Sequence, residues 1–386
     1  MTQTLPEHFS SFSDARKNGF LKVKEAKERG GLVAGYFCTF TPLEILDAAG
    51  FMPVSLCGMS EETIPAAEAH LPKNLCPLIK SSYGFALSDK CPYTYFSDLL
   101  VGETTCDGKK KMFELLNDIR PTYVLQLPQS LTGDPLTQWK EELHRLIAFL
   151  EERFGVNITE EALRAAVRER NRERQARMSL MEVQKHVPPM MWGGQLYSAL
   201  DGASFLFDAE QRVNDLNALR RAAETGENGV LLPDGRSSTE GKKRIMITGC
   251  PIGGVLQKTV AVIEEKGGVV VCFENCSGIK ASFQMVDENA PDIVEALAKR
   301  YLEIGCAVMA PDRKRTDLIA KLADEYKVDG MIEIDLQACT PYTVESTTIR
   351  RCAEKSGLPY LSLETDYSQS DSGQLSTRIE AFLEMI

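Results

Sequence analysis

The sequence predicts an α/β protein: two open, mostly parallel, Rossmann-like sheet domains with a helical insert. Three observations carry the fold class. Short apolar runs alternate with helical segments through residues 32–128, and the alternation restarts at Arg244, the pattern of parallel strands joined by crossover helices. Between them, residues 138–184 are charge-laced, with apolar residues recurring at three and four, the helical period. A chain of 386 residues is long enough for two cores. The expected domains are 1–135, a helical insert and linker over 136–242, and 243–386.

In order, residues 8–30 read as a charged helix stopped at Gly30-Gly31, followed by the strand LVAGYFC. In TPLEILDAAG, Thr41 is placed as an N-cap, Pro42 at the first helical position and Glu44 to close a capping box, with Gly50 as the stop. FMPVSLC is a second strand and LCPLIKSSYGFAL a helix with Cys76 near its start. The stretch CPYTYFSDLLVGETTCDGKKK, 91–111, gives a strand that delivers Cys106 to a helix capped by Asp107, and PTYVLQLP is a further strand. GENGVLLPDGRSSTEGKK, 226–243, is the best linker in the chain. RIMITGC, VVVCFEN, DGMIEIDLQAC and LPYLSLETD are the strands of the second half, with helices between them and a helix at the end.

Composition narrows the function. The net charge of −11 supplies no basic face for a phosphate backbone, so no nucleic-acid partner is expected. Lys109, Lys110 and Lys111 read as a solvated helix face. No apolar run approaches the ~20 residues needed to span a bilayer, and the polar start MTQTLPEHFSSFSDARK lacks a secretory segment. A cytoplasmic location follows as an expectation, and the eleven cysteines then sit where structural disulfides are rare.

Six cysteines fall at or just after expected strand ends: Cys38, Cys57, Cys106, Cys250, Cys276 and Cys339. Ligands of open α/β sheets collect at that edge. Cys38, Cys106, Cys250 and Cys339 also precede helix starts, where the dipole favours thiolate. Cys272 and Cys352 read as inert thiols. There is no CxxC, and His8, His70, His144 and His186 all lie away from the strand-end cysteines. A thiolate-only site assembled from distant segments suits iron–sulfur better than zinc, with inert buried thiols as the competing reading. GCPIGG, 249–254, lacks dinucleotide spacing and no P-loop exists, so its glycines serve a tight turn beneath Cys250. Glu274, Glu333, Asp335, Glu364 and Asp366 lie near strand ends, and Tyr342 and Tyr367 could donate protons. None is assigned a catalytic role.

FCTFTPLEILDAAGFMPVSLCG, NLCPLIKSSYGFAL, VGETTCDGKKKMFELL, TGCPIGG, FENCSG, VDGMIEIDLQAC and LETDYSQSDSGQLSTRIEAFLEM resemble the 2-hydroxyacyl-CoA dehydratase D-component family, which includes benzoyl-CoA reductase subunits. DKCPY, FENCSG and EIGC are most similar to its double-cubane cluster branch. The resemblance implies a metal cluster in the interdomain cleft and a separate ATP-hydrolysing iron–sulfur activator that delivers low-potential electrons. It implies one [4Fe-4S] cluster on cysteines matching Cys76, Cys106 and Cys339 in the dehydratase branch. In the double-cubane branch it implies an [8Fe-9S] cluster on six, with Cys91, Cys276 and Cys306 added and Cys38 and Cys250 in reserve. The expected activity is reduction of a small molecule by a homodimer. The alternatives are a 2-hydroxyacyl-CoA dehydratase subunit and an iron–sulfur electron carrier.

Overall fold

A computed structural model describes residues 7–226 and 239–386. Most of the expected linker, 226–243, lies outside the described residues. Two four-stranded sheets, every pairing parallel, carry the fold. The first comprises β1 (Leu32–Tyr36), β2 (Phe51–Ser55), β3 (Leu99–Glu103) and β4 (Thr122–Leu125) in the order β2-β1-β3-β4. The second comprises β5 (Lys243–Gly249), β6 (Gly268–Phe273), β7 (Gly330–Leu336) and β8 (Tyr360–Thr365) in the order β6-β5-β7-β8.

The two orders are the same topology. In each, the first strand pairs with the second on one side and the third on the other, so the winding reverses between first and third. Ligand sites of open α/β sheets form outside the carboxyl ends of the strands at this reversal. It lies between β1 and β3 in one sheet and between β5 and β7 in the other.

The chain divides into two compact units. One holds residues up to Lys17, Gln175–Phe283 and Thr316–Ile386; the other holds Asn18–Arg174 and Gln284–Arg315. The strands of each sheet are buried by their own crossover helices, and β3, β6 and β7 are buried at every position, as expected of parallel strands covered on both faces.

Helix ends follow local chemistry. Asp134 accepts from the Thr137 N–H at 3.1 Å to start Pro135–Phe154, which stops at Gly155 with φ +65°. Asp292 does the same for Ile293–Leu302 through the Glu295 N–H at 3.0 Å.

The Thr41–Glu44 capping box does not form. The helix begins at Leu43, Pro42 is its cap residue, and no side chain caps it. Thr41 instead donates to the Glu103 carboxylate. Glu44 is fully buried, accepting from Arg174 and, at 2.8 Å, from the Tyr301 hydroxyl. An unpaired buried carboxylate is costly, so these distant partners override the local cap.

CPYTYF precedes the strand and is helical. Pro92–Phe96 is a short helix with Pro92 at its first position and Cys91 as its cap, and β3 starts only at Leu99. The segment read as one helix after Cys250 is two, a 3-10 turn over Gly253–Lys258 and the α-helix Val260–Glu265.

Candidate functional site

In the unit containing β1–β4, the carboxyl edge gathers thiols. Tyr36 and Ser55 are in register as paired residues of β1 and β2, so Cys38 and Cys57 leave adjacent strands side by side. The Cys57 thiol donates to the Phe37 carbonyl at 3.2 Å, and the Lys109 ammonium donates to that same oxygen at 3.3 Å. Cys106 is the cap residue of Asp107–Leu116. Burial opposes charge on Lys109, but the thiols of Cys38 and Cys57, the Glu103 carboxylate and the Cys106 thiol outweigh it and hold the ammonium charged. Glu103 is itself fully buried; burial raises its carboxyl to about 7, against the pull of Lys109 and Thr41.

Cys76 caps the helix Pro77–Leu87. Gly108 brings the start of the Cys106 helix against the start of this one: a Cβ at Gly108 would lie 2.6 Å from Ile79 Cδ1 and 3.1 Å from Leu75 Cδ1. Cys76 and Cys106 therefore head neighbouring helix ends. Cys306 is buried in the turn after Ile293–Leu302. That turn runs to Ala310, which bridges Ser130 beyond β4, and the residue before Ser130, Gln129, donates to the carbonyl of Thr105. Cys306 is thus tied to the same edge.

Cys91 is not. Its carbonyl accepts from Tyr95 N at 3.0 Å, and the Tyr95 carbonyl accepts from Arg120, the guanidinium just before β4 begins. Cys91 stands at the amino edge, across the five residues of β3 from Cys106, a span of roughly 16 Å.

In the unit containing β5–β8, Gly249 ends β5 with φ +105°, and a Cβ there would sit 2.3 Å from the Ile334 carbonyl oxygen. Only glycine allows this close turn, and it aims Cys250 at β7. The Cys250 sulfur accepts from Leu336 N at 3.4 Å and faces Asp335 Oδ1 at 3.9 Å, while Cys339 N donates to the Leu336 carbonyl at 3.0 Å. Cys250 and Cys339 are thus tied to one residue at the β5/β7 reversal. Asn275, one residue before Cys276, donates to the Cys250 carbonyl at 3.3 Å. Lys280 pairs with Glu274 at 3.1 Å and donates to the Tyr342 hydroxyl at 3.3 Å.

Four of the six expected ligands are helix cap residues: Cys76, Cys91, Cys106 and Cys339. The Cys91 sulfur is engaged by its own helix, accepting from Thr94 N at 3.5 Å. Cys76, Cys106 and Cys339 make no such cap bond. Thiols so placed, at positive helix ends, suit soft-metal ligation.

None of the eleven cysteines is in a disulfide. Among the described residues no three His, Cys, Asp or Glu side chains close on the position of a single metal ion. A cubane does not need that closure, because each of its irons takes one external ligand. The donor set is thiol, with histidine elsewhere: His70 Nδ1 is 2.7 Å from the Tyr83 hydroxyl. That chemistry fits iron–sulfur ligation.

The remaining expectations resolve by partner. Glu333 accepts from Tyr360, Asp335 faces Cys250, and Glu364 is exposed. Cys272 is buried within β6, and the Cys352 thiol donates to the Thr316 carbonyl at 3.4 Å. The solvated lysine face holds for Lys110 and Lys111, which pair with Asp107 and Glu114. Lys109 departs from it. The signal was present in the spacing: Lys109 is three residues from Cys106 and shares its helical face.

Fold and site together define a two-sheet α/β protein with thiols at the winding reversal of each sheet. The family described as 2-hydroxyglutaryl-CoA dehydratase, D-component, matches residues 38–386. The chain is 49% identical over 385 residues to a protein of Escherichia coli (strain K12) provisionally named dehydratase subunit YjiM, covering 99% of this chain and 98% of that one. It is 22% identical to the beta chain of the (R)-phenyllactyl-CoA dehydratase of Clostridium sporogenes over 98% of both chains. It is 24% identical to one subunit of the benzoyl-CoA reductase of Thauera aromatica, over 75% of this chain and 70% of that one. The chain belongs to the 2-hydroxyglutaryl-CoA dehydratase D-component family. No helix among the described residues is long and apolar enough to cross a membrane.

Proposed function

We propose that the protein is an iron–sulfur reductase that takes low-potential electrons from a separate ATP-hydrolysing activator and passes them to a small molecule at a double-cubane [8Fe-9S] cluster. One observation carries the reading: Cys76, Cys106 and Cys339, the trio the family resemblance assigns to a cluster, are helix cap residues whose thiols do not cap their own helices. Cys276 and Cys306 lie beyond the carboxyl ends of β6 and β4 and extend the set. For the sixth ligand, the placement of Cys38 beside Cys57 and Lys109 favours it over Cys91, whose thiol is engaged at the opposite edge. The bound cluster would supply reducing equivalents stored at low potential. The resemblance implies a homodimer, and eleven cysteines without a complete disulfide framework suit a reducing cytoplasm.

A second reading, a 2-hydroxyacyl-CoA dehydratase subunit with one [4Fe-4S] cluster on Cys76, Cys106 and Cys339, is supported by the names of its relatives. Anaerobic purification followed by iron and acid-labile sulfide determination separates the two. About eight irons per chain is the expected result, about four establishes the dehydratase form, and none overturns both.

A further inference from the structure

Three buried or half-buried charges outside the thiols were candidates for a role at this site. Glu264 is occupied by backbone, accepting from Gly194 N at 3.2 Å at the start of the helix Gly193–Ala203. Lys280 is occupied by Glu274. Lys109 differs from both.

Its neighbours behave as surface lysines. Lys110 pairs with Asp107 at 2.6 Å and Lys111 with Glu114 at 2.7 Å. Lys109 is half-buried, and among the described residues no carboxylate closes an ion pair with it. Its side chain donates to the Phe37 carbonyl at 3.3 Å, and Cys38, Cys57, Cys106 and Glu103 lie within electrostatic reach. A lysine whose charge is kept without a bound carboxylate, among thiols at a strand-end reversal, faces a place where negative charge is to be gathered.

We propose that Lys109 is the charge-compensating residue of the iron–sulfur site, its fixed ammonium offsetting the negative charge that thiolate ligation and reduction bring to Cys106 and so raising the cluster's reduction potential. The proposal rests on the iron–sulfur reading above. Cluster potentials respond to net charge, to hydrogen bonds at sulfur and to exposure, and Lys109 bears on the first. In a protein of net charge −11, added electrons are otherwise opposed by the surrounding charge. Burial weakens solvent screening of the ammonium, which makes its effect larger than that of a surface lysine.

The test is a redox titration of the anaerobically purified chain, followed by electron paramagnetic resonance, with iron per chain measured in parallel. Lys109→Met is expected to keep its iron and to shift the oxidised–reduced equilibrium at least tenfold towards oxidised, about 59 mV for a one-electron couple. Lys109→Arg, which retains the charge, is expected to restore most of the shift, and Lys111→Met to cause none. Should Lys109→Met assemble poorly, Lys109→Gln gives the same comparison with a neutral donor in place. A neutral variant that holds iron at the wild-type potential, or a shift matched by Lys111→Met, overturns the proposal and leaves the cluster reading standing. Absence of iron from the wild-type chain overturns the cluster reading and the proposal with it.

Discussion

Glu274 and Lys280 form an ion pair of 3.1 Å with both side chains wholly excluded from solvent. The carboxylate also accepts from the Thr248 hydroxyl at 2.7 Å, and the ammonium donates to the Tyr342 hydroxyl at 3.3 Å. The pair lies on either side of Cys276, after the end of β6, and Tyr342 is in the first turn of Thr340–Lys355, just after Cys339. The charge contact closes the loop that carries Cys276, and the hydrogen bond to Tyr342 ties that loop to the segment after Cys339.

Removing one member leaves the other charge buried. Lys280→Met should destabilise the protein by about 3–5 kcal/mol, with the double change Glu274→Gln/Lys280→Met recovering a substantial part. Urea unfolding of the three proteins measures this. A single variant as stable as the wild type would show that water reaches the pair.

The cysteine placements predict an ordered response in metal content. Cys106→Ser and Cys339→Ser should lose most of the iron, and Cys91→Ser, Cys272→Ser and Cys352→Ser should keep it. Cys91 lies at the amino edge, Cys272 lies inside β6, and the Cys352 thiol is bonded to a carbonyl. Iron analysis of anaerobically purified variants decides. Loss of iron in Cys91→Ser would mean that the Pro92–Phe96 helix is displaced when the cluster is present.

Glu103 predicts a pH dependence with a definite sign. Burial raises its folded carboxyl from the ordinary 4.5 to about 7, so the folded state holds the proton more tightly than the unfolded state. The resulting stabilisation is full below about 4.5 and is lost as pH rises through about 7, an effect of about 3 kcal/mol. Relative to wild type, Glu103→Gln should therefore gain stability between pH 4.5 and 8, measured as the difference in melting temperature. Glu264, also raised to about 7 by burial, titrates in both proteins and cancels from the difference. Parallel curves for the two proteins would contradict the assignment.

Gly84 predicts a packing cost. It lies within Pro77–Leu87, where alanine would ordinarily favour the helix by about 1 kcal/mol. A Cβ there would stand 2.1 Å from the Thr63 carbonyl oxygen, which is backbone and cannot rotate away. Gly84→Ala should destabilise by about 1–3 kcal/mol, read as a lower urea midpoint. A neutral or stabilised variant would show that the 61–64 segment yields.

The strands were legible because parallel strands buried on both faces read as short, nearly continuous apolar runs, as LLVGE and GVVVCF do. The cysteines at strand ends were legible for the same reason, since strand boundaries locate them. What was illegible depended on distant partners. Thr41 and Glu44 have the right spacing for a capping box, yet Glu103, Arg174 and Tyr301 claim them. Lys109 looked like the lysines beside it until the thiols of Cys38 and Cys57 were placed. In CPYTYF only Cys91-Pro92 signals the short helix that forms there. The helices Gly193–Ala203 and Ala209–Thr225 gave no clear pattern, the first because glycine occupies three of its eleven positions.

The partition of the chain into units carries a consequence for biosynthesis. The unit with β1–β4 includes Gln284–Arg315, which leaves the ribosome only after all of Gln175–Phe283 has been made. The first sheet can pair early, but its unit stays incomplete until that late segment arrives, and Ser130 has no Ala310 to bridge before then. Premature termination between residues 175 and 315 yields not one finished unit but two unfinished ones.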